Sequence, residues 1–291
     1  MRKLLFATAA MIVVSAAEAA PVVIEDGFVK AGVNDLGTLG SGGNNPPGIL
    51  YDKTGAGSYG INDFLTPGTP FEGFYIKSST GFWGANNTGA TAFNTSAPSS
   101  ITGKSASWTG TSTDGALTVT NTYMLTTLSG RSVIDVNTTI INTGTVTLTG
   151  LEFLRTLDPD PDVNAYGVYD TANAILSGDA CGTGQHSGQT ICIGTETGGK
   201  VGISAKWSTD PDVYLAGVND GAFGDYAIGI AFALDDLASK GLISFNYYYA
   251  LGANSGTASG GGNTGIPEPL TLGLFGAGLF GLWRSRRSKN A

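Results

Sequence analysis

Leu117-Thr118-Val119-Thr120-Asn121-Thr122-Tyr123-Met124-Leu125 sets the fold class of this chain. Its odd positions are mostly apolar and its even positions mostly threonine, the period of two that lays one side of a strand on a core and the other in water. Threonine suits the wet side, because it has high β propensity and a hydroxyl that reaches a neighbouring strand. A second strand keeps this rhythm through Ile134, Val136, Thr138 and Ile140, and Asn142-Thr143-Gly144-Thr145 supplies a turn. Val146 and Leu148 stay on even positions, but Leu151 and Phe153 continue on odd ones. A glycine at a phase change marks a bulge or tight bend, so Gly150 reads as a bend inside a three-stranded β-meander.

Strand signals extend outward from this segment. Upstream, Pro67-Gly68 sets a turn, after which Phe71, Gly73 and Tyr75 oppose Glu72, Phe74 and Ile76. Apolar groups on both faces suit a strand inside a sandwich. Phe82-Trp83 reads first as buried packing, with an exposed aromatic platform for sugar as the alternative. Residues 85–115 hold short pieces such as Ala106-Ser107-Trp108-Thr109, and 22–41 reads as irregular, running into the loop from Gly40 to Pro47. Downstream, Val201 to Trp207 reads as a strand. Tyr226, Ile228, Ile230, Phe232 and Leu234 mark another, Ile243, Phe245, Tyr247 and Tyr249 a third, with Asp235 to Lys240 as a tight connector. The fold class expected is all-β: a large antiparallel β-sandwich over residues 20–253, with a short C-terminal hydrophobic helix beyond it.

Both ends read as processing segments. Arg2 and Lys3, an apolar run from Leu4 to Val14 and the small-residue site Ala17-Glu18-Ala19 describe a secretory signal peptide over 1–19. It carries no Arg-Arg pair, which points to the Sec machinery. At the other end a Ser/Gly/Asn/Thr spacer, 254–265, leads to Pro267-Glu268-Pro269, an uncharged run from Leu270 to Trp283, and the cations Arg284, Arg286, Arg287 and Lys289. The two prolines forbid a helix through Glu268. A helix of this length reaches roughly 21 Å against a hydrocarbon core of ~30 Å, so the run engages a membrane without being a good permanent anchor. The cations hold the end on the cytoplasmic side, and Trp283 suits the interface.

This tripartite tail, residues 266–291, resembles the PEP-CTERM sorting signal of Gram-negative, exopolysaccharide-producing bacteria. The resemblance implies recognition by an exosortase, removal of the tail after a transient membrane stage through 270–283, and export toward the cell surface or matrix. It implies nothing about the activity of the body. Without the two end segments, residues 20–265 keep 9 basic against 21 acidic residues, a net charge of −12. Such a surface repels nucleic acid, and anionic glycan too unless divalent cations bridge the two.

The most chemically suggestive loop is Asp158-Pro159-Asp160-Pro161-Asp162-Val163-Asn164. Alternating carboxylates with an amide oxygen match calcium's preference for hard oxygen ligands, which makes Asp158, Asp160, Asp162 and Asn164 the candidate set; no other cofactor is expected. It is not an EF-hand, since Val163 and Tyr169 replace the required glycine and glutamate. The competing and commoner outcome is a solvated turn capped by Asx hydrogen bonds. Carboxylates this close raise each other's pKa, so a neighbour such as Arg155 or a metal is expected beside them. A second Asp-Pro-Asp, at Asp210, Pro211 and Asp212, hints at equivalent strand exits or at two halves of one site. Cys181 and Cys192 lie in a Gly/Thr/Gln-rich loop and, in an exported protein, predict a disulfide. Zinc held with His186 is the alternative, and a fourth ligand is missing. No Ser-His-Asp arrangement or phosphate loop is legible.

The strand Phe153-Leu154-Arg155-Thr156-Leu157-Asp158-Pro159-Asp160, with Gly224 to Phe232 and Ile243 to Tyr249, is similar to uncharacterised secreted β-sandwich proteins. That resemblance implies a supersandwich, an architecture also used by sugar-binding and sugar-processing proteins. Two functions stand: a non-catalytic surface or biofilm-matrix protein, and, as the alternative, a glycan-binding or carbohydrate-active protein. The first is favoured because no catalytic residues can be assigned.

Overall fold

The computed structural model describes residues 20–42, 45–66 and 71–259. These residues form three antiparallel sheets. The largest runs, in spatial order, Phe223–Gly224, Thr171–Leu176, Asp179–Gly184, Thr190–Gly194, Leu242–Gly252, Arg131–Asn142, Leu117–Leu128, Ser105–Thr111 and Ser99–Thr102. A five-stranded sheet runs Lys200–Ser204, Ala227–Ala233, Glu152–Leu157, Glu72–Ser78 and Gly81–Asn86. Val22–Glu25, Val29–Val33 and Ile49–Tyr51 make the third, its first two strands in the segment 22–41 expected to be irregular. The valine and isoleucine pairs there are too short to show a period, yet Ile24, Val29, Ala31 and Val33 are all fully buried.

The alternation in the strand Leu117–Leu128 holds: Leu117, Val119, Tyr123 and Leu125 enter the core, and Thr118, Thr120 and Thr122 do not. On the wet face the hydroxyls pair across strands, Thr109 with Thr120 at 2.9 Å and Thr111 with Thr118 at 3.2 Å. The core lies between the two large sheets. Phe74, Phe153 and Ile230 of one face Val119, Ile134, Val136 and Tyr247 of the other, and Phe153 meets Phe245 edge-on at 4.9 Å.

The meander is not formed. Leu117–Leu128 and Arg131–Asn142 do pair, but the third expected strand, Glu152–Leu157, sits in the opposite sheet between Glu72–Ser78 and Ala227–Ala233. Gly150, at φ 59°, stands where the chain leaves one sheet for the other, so the phase slip records a change of sheet. The vacant neighbour position is taken by Leu242–Gly252, from the far end of the body.

A layer of polar groups crosses the core and is fully partnered. Arg155, with no exposure, donates from Nε to Glu72 Oε1 and, at 2.9 Å, to the Tyr249 hydroxyl, and from Nη2 to the Tyr123 hydroxyl at 3.1 Å. Glu72 Oε2 accepts the Leu39 N–H at 2.6 Å. Tyr123 and Asn121 both donate to the Gly37 carbonyl, at 2.7 and 3.0 Å, which ties the 34–39 loop to the large sheet.

Two further expectations meet the structure here. Trp83 is buried, but Phe82 is half exposed and stacks on Tyr75 at 6.1 Å. The expected spacer opens with an ordered turn: Asn254 and Thr257 form a capping box for the short helix Ser255–Ala258, and Ala258 is fully buried. Among the described residues no helix is long and apolar enough to cross a membrane.

Candidate functional site

Glu152–Leu157 and Ala227–Ala233 are antiparallel partners, with Leu157 opposite Ile228. Residues just past the end of the first strand therefore meet residues just ahead of the second. This register brings Asp158 and Asp160 to Asp225, and one carboxylate oxygen from each lies within 4.8 Å of the others. The loop backbone is pinned, because the Asp158 N–H donates to Phe71 O and the Asp160 N–H to Phe64 O, both at 2.9 Å. Asp158 and Asp160 are each 1% exposed, and Asp225 is half buried.

Asp158 and Asp225 are close enough to share a proton between their carboxyl groups. Apart from that proton, both oxygens of Asp158, Oδ1 of Asp160 and Oδ1 of Asp225 are buried without a hydrogen-bond partner. Burial, and then the charges of Asp160 and Asp225, push the Asp158 pKa up to about 9. Burial and the Asp225 charge push Asp160 up to about 8, and Asp225 is raised by burial with Asp170 adding repulsion. Arg155, expected as the neutralising neighbour, turns into the core to Glu72 instead.

Of the four residues expected as a set, Asp158 and Asp160 lie together, and Asp162 and Asn164 make contacts of their own. Asp162 is used up on the backbone: Oδ2 accepts the His186 N–H at 2.7 Å and Oδ1 the Ser187 N–H at 3.1 Å. Asn164 donates from Nδ2 to Thr66 O at 2.8 Å. Asp225 is the third carboxylate beside Asp158 and Asp160. Sequence reasoning missed it because its only signal is the pairing of two strands about 70 residues apart, which no local window contains.

The second Asp-Pro-Asp makes a different structure. Asp210 caps the short helix Pro211–Leu215, accepting from the Asp212 N–H, and both carboxylates reach Lys77 Nζ, at 2.9 Å from Asp210 and 2.5 Å from Asp212. The two motifs therefore do not join into one site. Trp207 connects to the first: its ring N–H donates to the Asp225 carbonyl at 3.2 Å, and the half-buried ring lines a cleft with Ser204, Lys206, Ser208, Thr209 and Asp220. Trp108 is fully enclosed, with its ring N–H on Asp35 O.

Cys181 and Cys192 form a disulfide, directly opposite each other on the paired strands Asp179–Gly184 and Thr190–Gly194 and not in a loop. This removes zinc from consideration there. His186 stacks on Tyr166 at 4.7 Å.

A family profile described as the PEP-CTERM protein-sorting motif matches residues 265–287. The chain carries a PEP-CTERM sorting motif at its C-terminus. The motif implies exosortase-dependent export with a destination at the cell surface. Its residues Pro267, Glu268, Pro269, Arg284, Arg286 and Arg287, the hydrophobic run and the signal peptide over 1–19 lie outside the described residues. No curated protein matches the chain. Among solved structures, a bacterial glucoamylase complexed with acarbose aligns at TM-score 0.49 and 11% identity, covering 92% of this chain and 38% of its own. The PEP-CTERM chain thus spans well under half the length of that enzyme. A galactose mutarotase-like protein from Lactobacillus casei aligns at TM-score 0.42 and 11% identity over 80% of this chain and 100% of its own. A putative aldose 1-epimerase from Escherichia coli K12 aligns at 0.39 and 12% identity over 79% and 97%.

Proposed function

We propose that this is a non-catalytic protein of the cell surface or extracellular matrix of a Gram-negative bacterium. It crosses the inner membrane through the Sec machinery, is held there briefly by 270–283, and is released when an exosortase removes the tail. The mature body, residues 20–253 with the spacer to 265, then remains outside the cell, associated with exopolysaccharide in a biofilm. The sorting motif over 265–287 carries this reading.

The test follows an epitope placed in the spacer, in cells with and without an exosortase. With the enzyme, the product loses its C-terminal segment and moves to the surface or medium. Without it, or with Pro267, Glu268 and Pro269 all replaced by alanine, the product stays full-length in the membrane fraction. Identical size and location in all three strains would refute the reading.

A second reading, a glycan-directed protein, is favoured by the half-buried Trp207 ring in a cleft with hydroxyl, ammonium and carboxylate groups. Aromatic faces with polar neighbours suit sugars. A thermal shift with one of a panel of glycans, lost in Trp207→Ala, supports it, and no shift with any glycan removes it.

A further inference from the structure

Three deeply buried carboxylates elsewhere among the described residues are supplied with donors, while Glu152 Oε2 is the one further buried carboxylate oxygen there without a partner. Asp63 accepts backbone N–H groups from Gly48, Ile49 and Leu65, Asp179 accepts from Arg131 and Tyr248, and Glu72 accepts from Arg155 and Tyr249. The group at Asp158 departs from this pattern. Asp158 is 1% exposed, and neither of its oxygens meets an N–H, a hydroxyl or a cation among the described residues, although the loop around it is fixed by backbone bonds on both sides of Pro159. An ionised carboxylate buried without a partner is strongly unfavourable. A buried polar atom with no partner calls for an unseen ion or water, and here one oxygen from each of three acidic side chains lies within 4.8 Å of the others.

We propose that Asp158, Asp160 and Asp225 bind a calcium ion, held between the end of the strand Glu152–Leu157 and the start of Ala227–Ala233. The donors are all hard oxygens, with no histidine or thiolate among them, which selects calcium or magnesium over transition metals. Two of the three carboxylates are buried in a proline-stiffened loop. Magnesium retains several waters in strict octahedral geometry, whereas calcium accepts irregular sets of protein oxygens at 2.3–2.6 Å in the general case. The ion ties together two central strands of the five-stranded sheet, so its effect is on stability. It does not depend on the protein's destination or on any glycan.

The test uses the full chain, stripped with EDTA and returned to metal-free buffer, with calcium chloride and magnesium chloride titrated in parallel. Calorimetry should show one calcium per chain, at least tenfold tighter than magnesium. At a hundredfold excess over Kd, calcium should raise the thermal midpoint by roughly 5–10 °C. Asp225→Asn should lose calcium binding by tenfold or more while keeping the far-ultraviolet circular dichroism of the parent in EDTA. Asp160→Asn should do the same, which guards against one variant failing to fold. Asp162→Asn should keep the calcium response, because that carboxylate serves the 186–187 backbone. Absence of saturable calcium binding to the parent would overturn the proposal, as would equal affinity for magnesium. So would loss in Asp162→Asn with retention in Asp225→Asn, which would restore the ligand set read from the loop alone.

Discussion

Asp52 and Asp158 are the same residue in two buried settings, 6% and 1% exposed, and their acidities move in opposite directions. The carboxylate of Asp52 accepts N–H groups from Thr54, Ala56 and Ser58 and the Thr54 hydroxyl, and these donors hold its pKa down to about 2. Asp158 is pushed up to about 9 by burial first and then by the charges of Asp160 and Asp225, with no backbone N–H to offset them. Asp63 lies between them: donors surround it, but deeper burial outweighs them and its pKa is raised. The carboxylate alone therefore decides little; how deeply the fold buries it and which donors it aims at it set the direction in which its acidity moves.

The sharpest way to break this contrast is to turn an anchored carboxylate into an orphan. Arg155→Leu leaves Glu72 buried without its guanidinium and should cost about 3–5 kcal/mol in urea unfolding. A loss below about 1 kcal/mol would mean that Tyr249 and the Leu39 N–H suffice. Next in size, Asp162→Ala strips the acceptor from two backbone N–H groups and should cost about 1–3 kcal/mol by the same measurement, without calcium entering the result.

The pH dependence tests the contrast directly. Asp52, with its pKa depressed in the folded state, contributes stability that is present above about pH 4 and lost as pH falls toward 2. In the metal-free protein the raised Asp158 and Asp160 work the other way, contributing stability below about pH 4 that is lost as pH rises through 8 and 9. Midpoints measured in EDTA should therefore fall on both sides of an acidic optimum. The variant that isolates one of these groups is Asp158→Asn. It should flatten the alkaline limb in EDTA and leave the acid limb unchanged, and an unaltered alkaline limb would show that Asp158 is not the group responsible.

The threonine ladder of Leu117–Leu128 was legible because alternation is local: each side chain's face follows from its neighbours two residues away. The crossover at Gly150 was visible as a phase slip, but whether a slip means a bulge or a new sheet depends on which partner waits on the other side. The cysteine pair was legible as a disulfide from compartment and count, whereas its place on facing strands was not. The short strands at 22–33 carried too few residues for any period to show. Of the aspartate loop, Asp158 and Asp160 were legible from their type and spacing. Asp162 and Asn164 looked the same in sequence, yet Asp162 accepts from the His186 N–H and Asn164 donates to the Thr66 carbonyl, because the position of a backbone partner is set by another element.

By itself the sequence determined the β-rich class and the sorting motif at the tail, since both are read from order along one strand of chain: a period of two in the first case, prolines then apolar residues then cations in the second. Only the tertiary structure decided which sheet each strand joined, that Arg155 faces Glu72 and not the aspartates, and that Asp225 completes the acidic group. The reason is physical. Those outcomes hang on hydrogen-bond register between strands far apart in the chain, and register is settled by the packing of whole sheets.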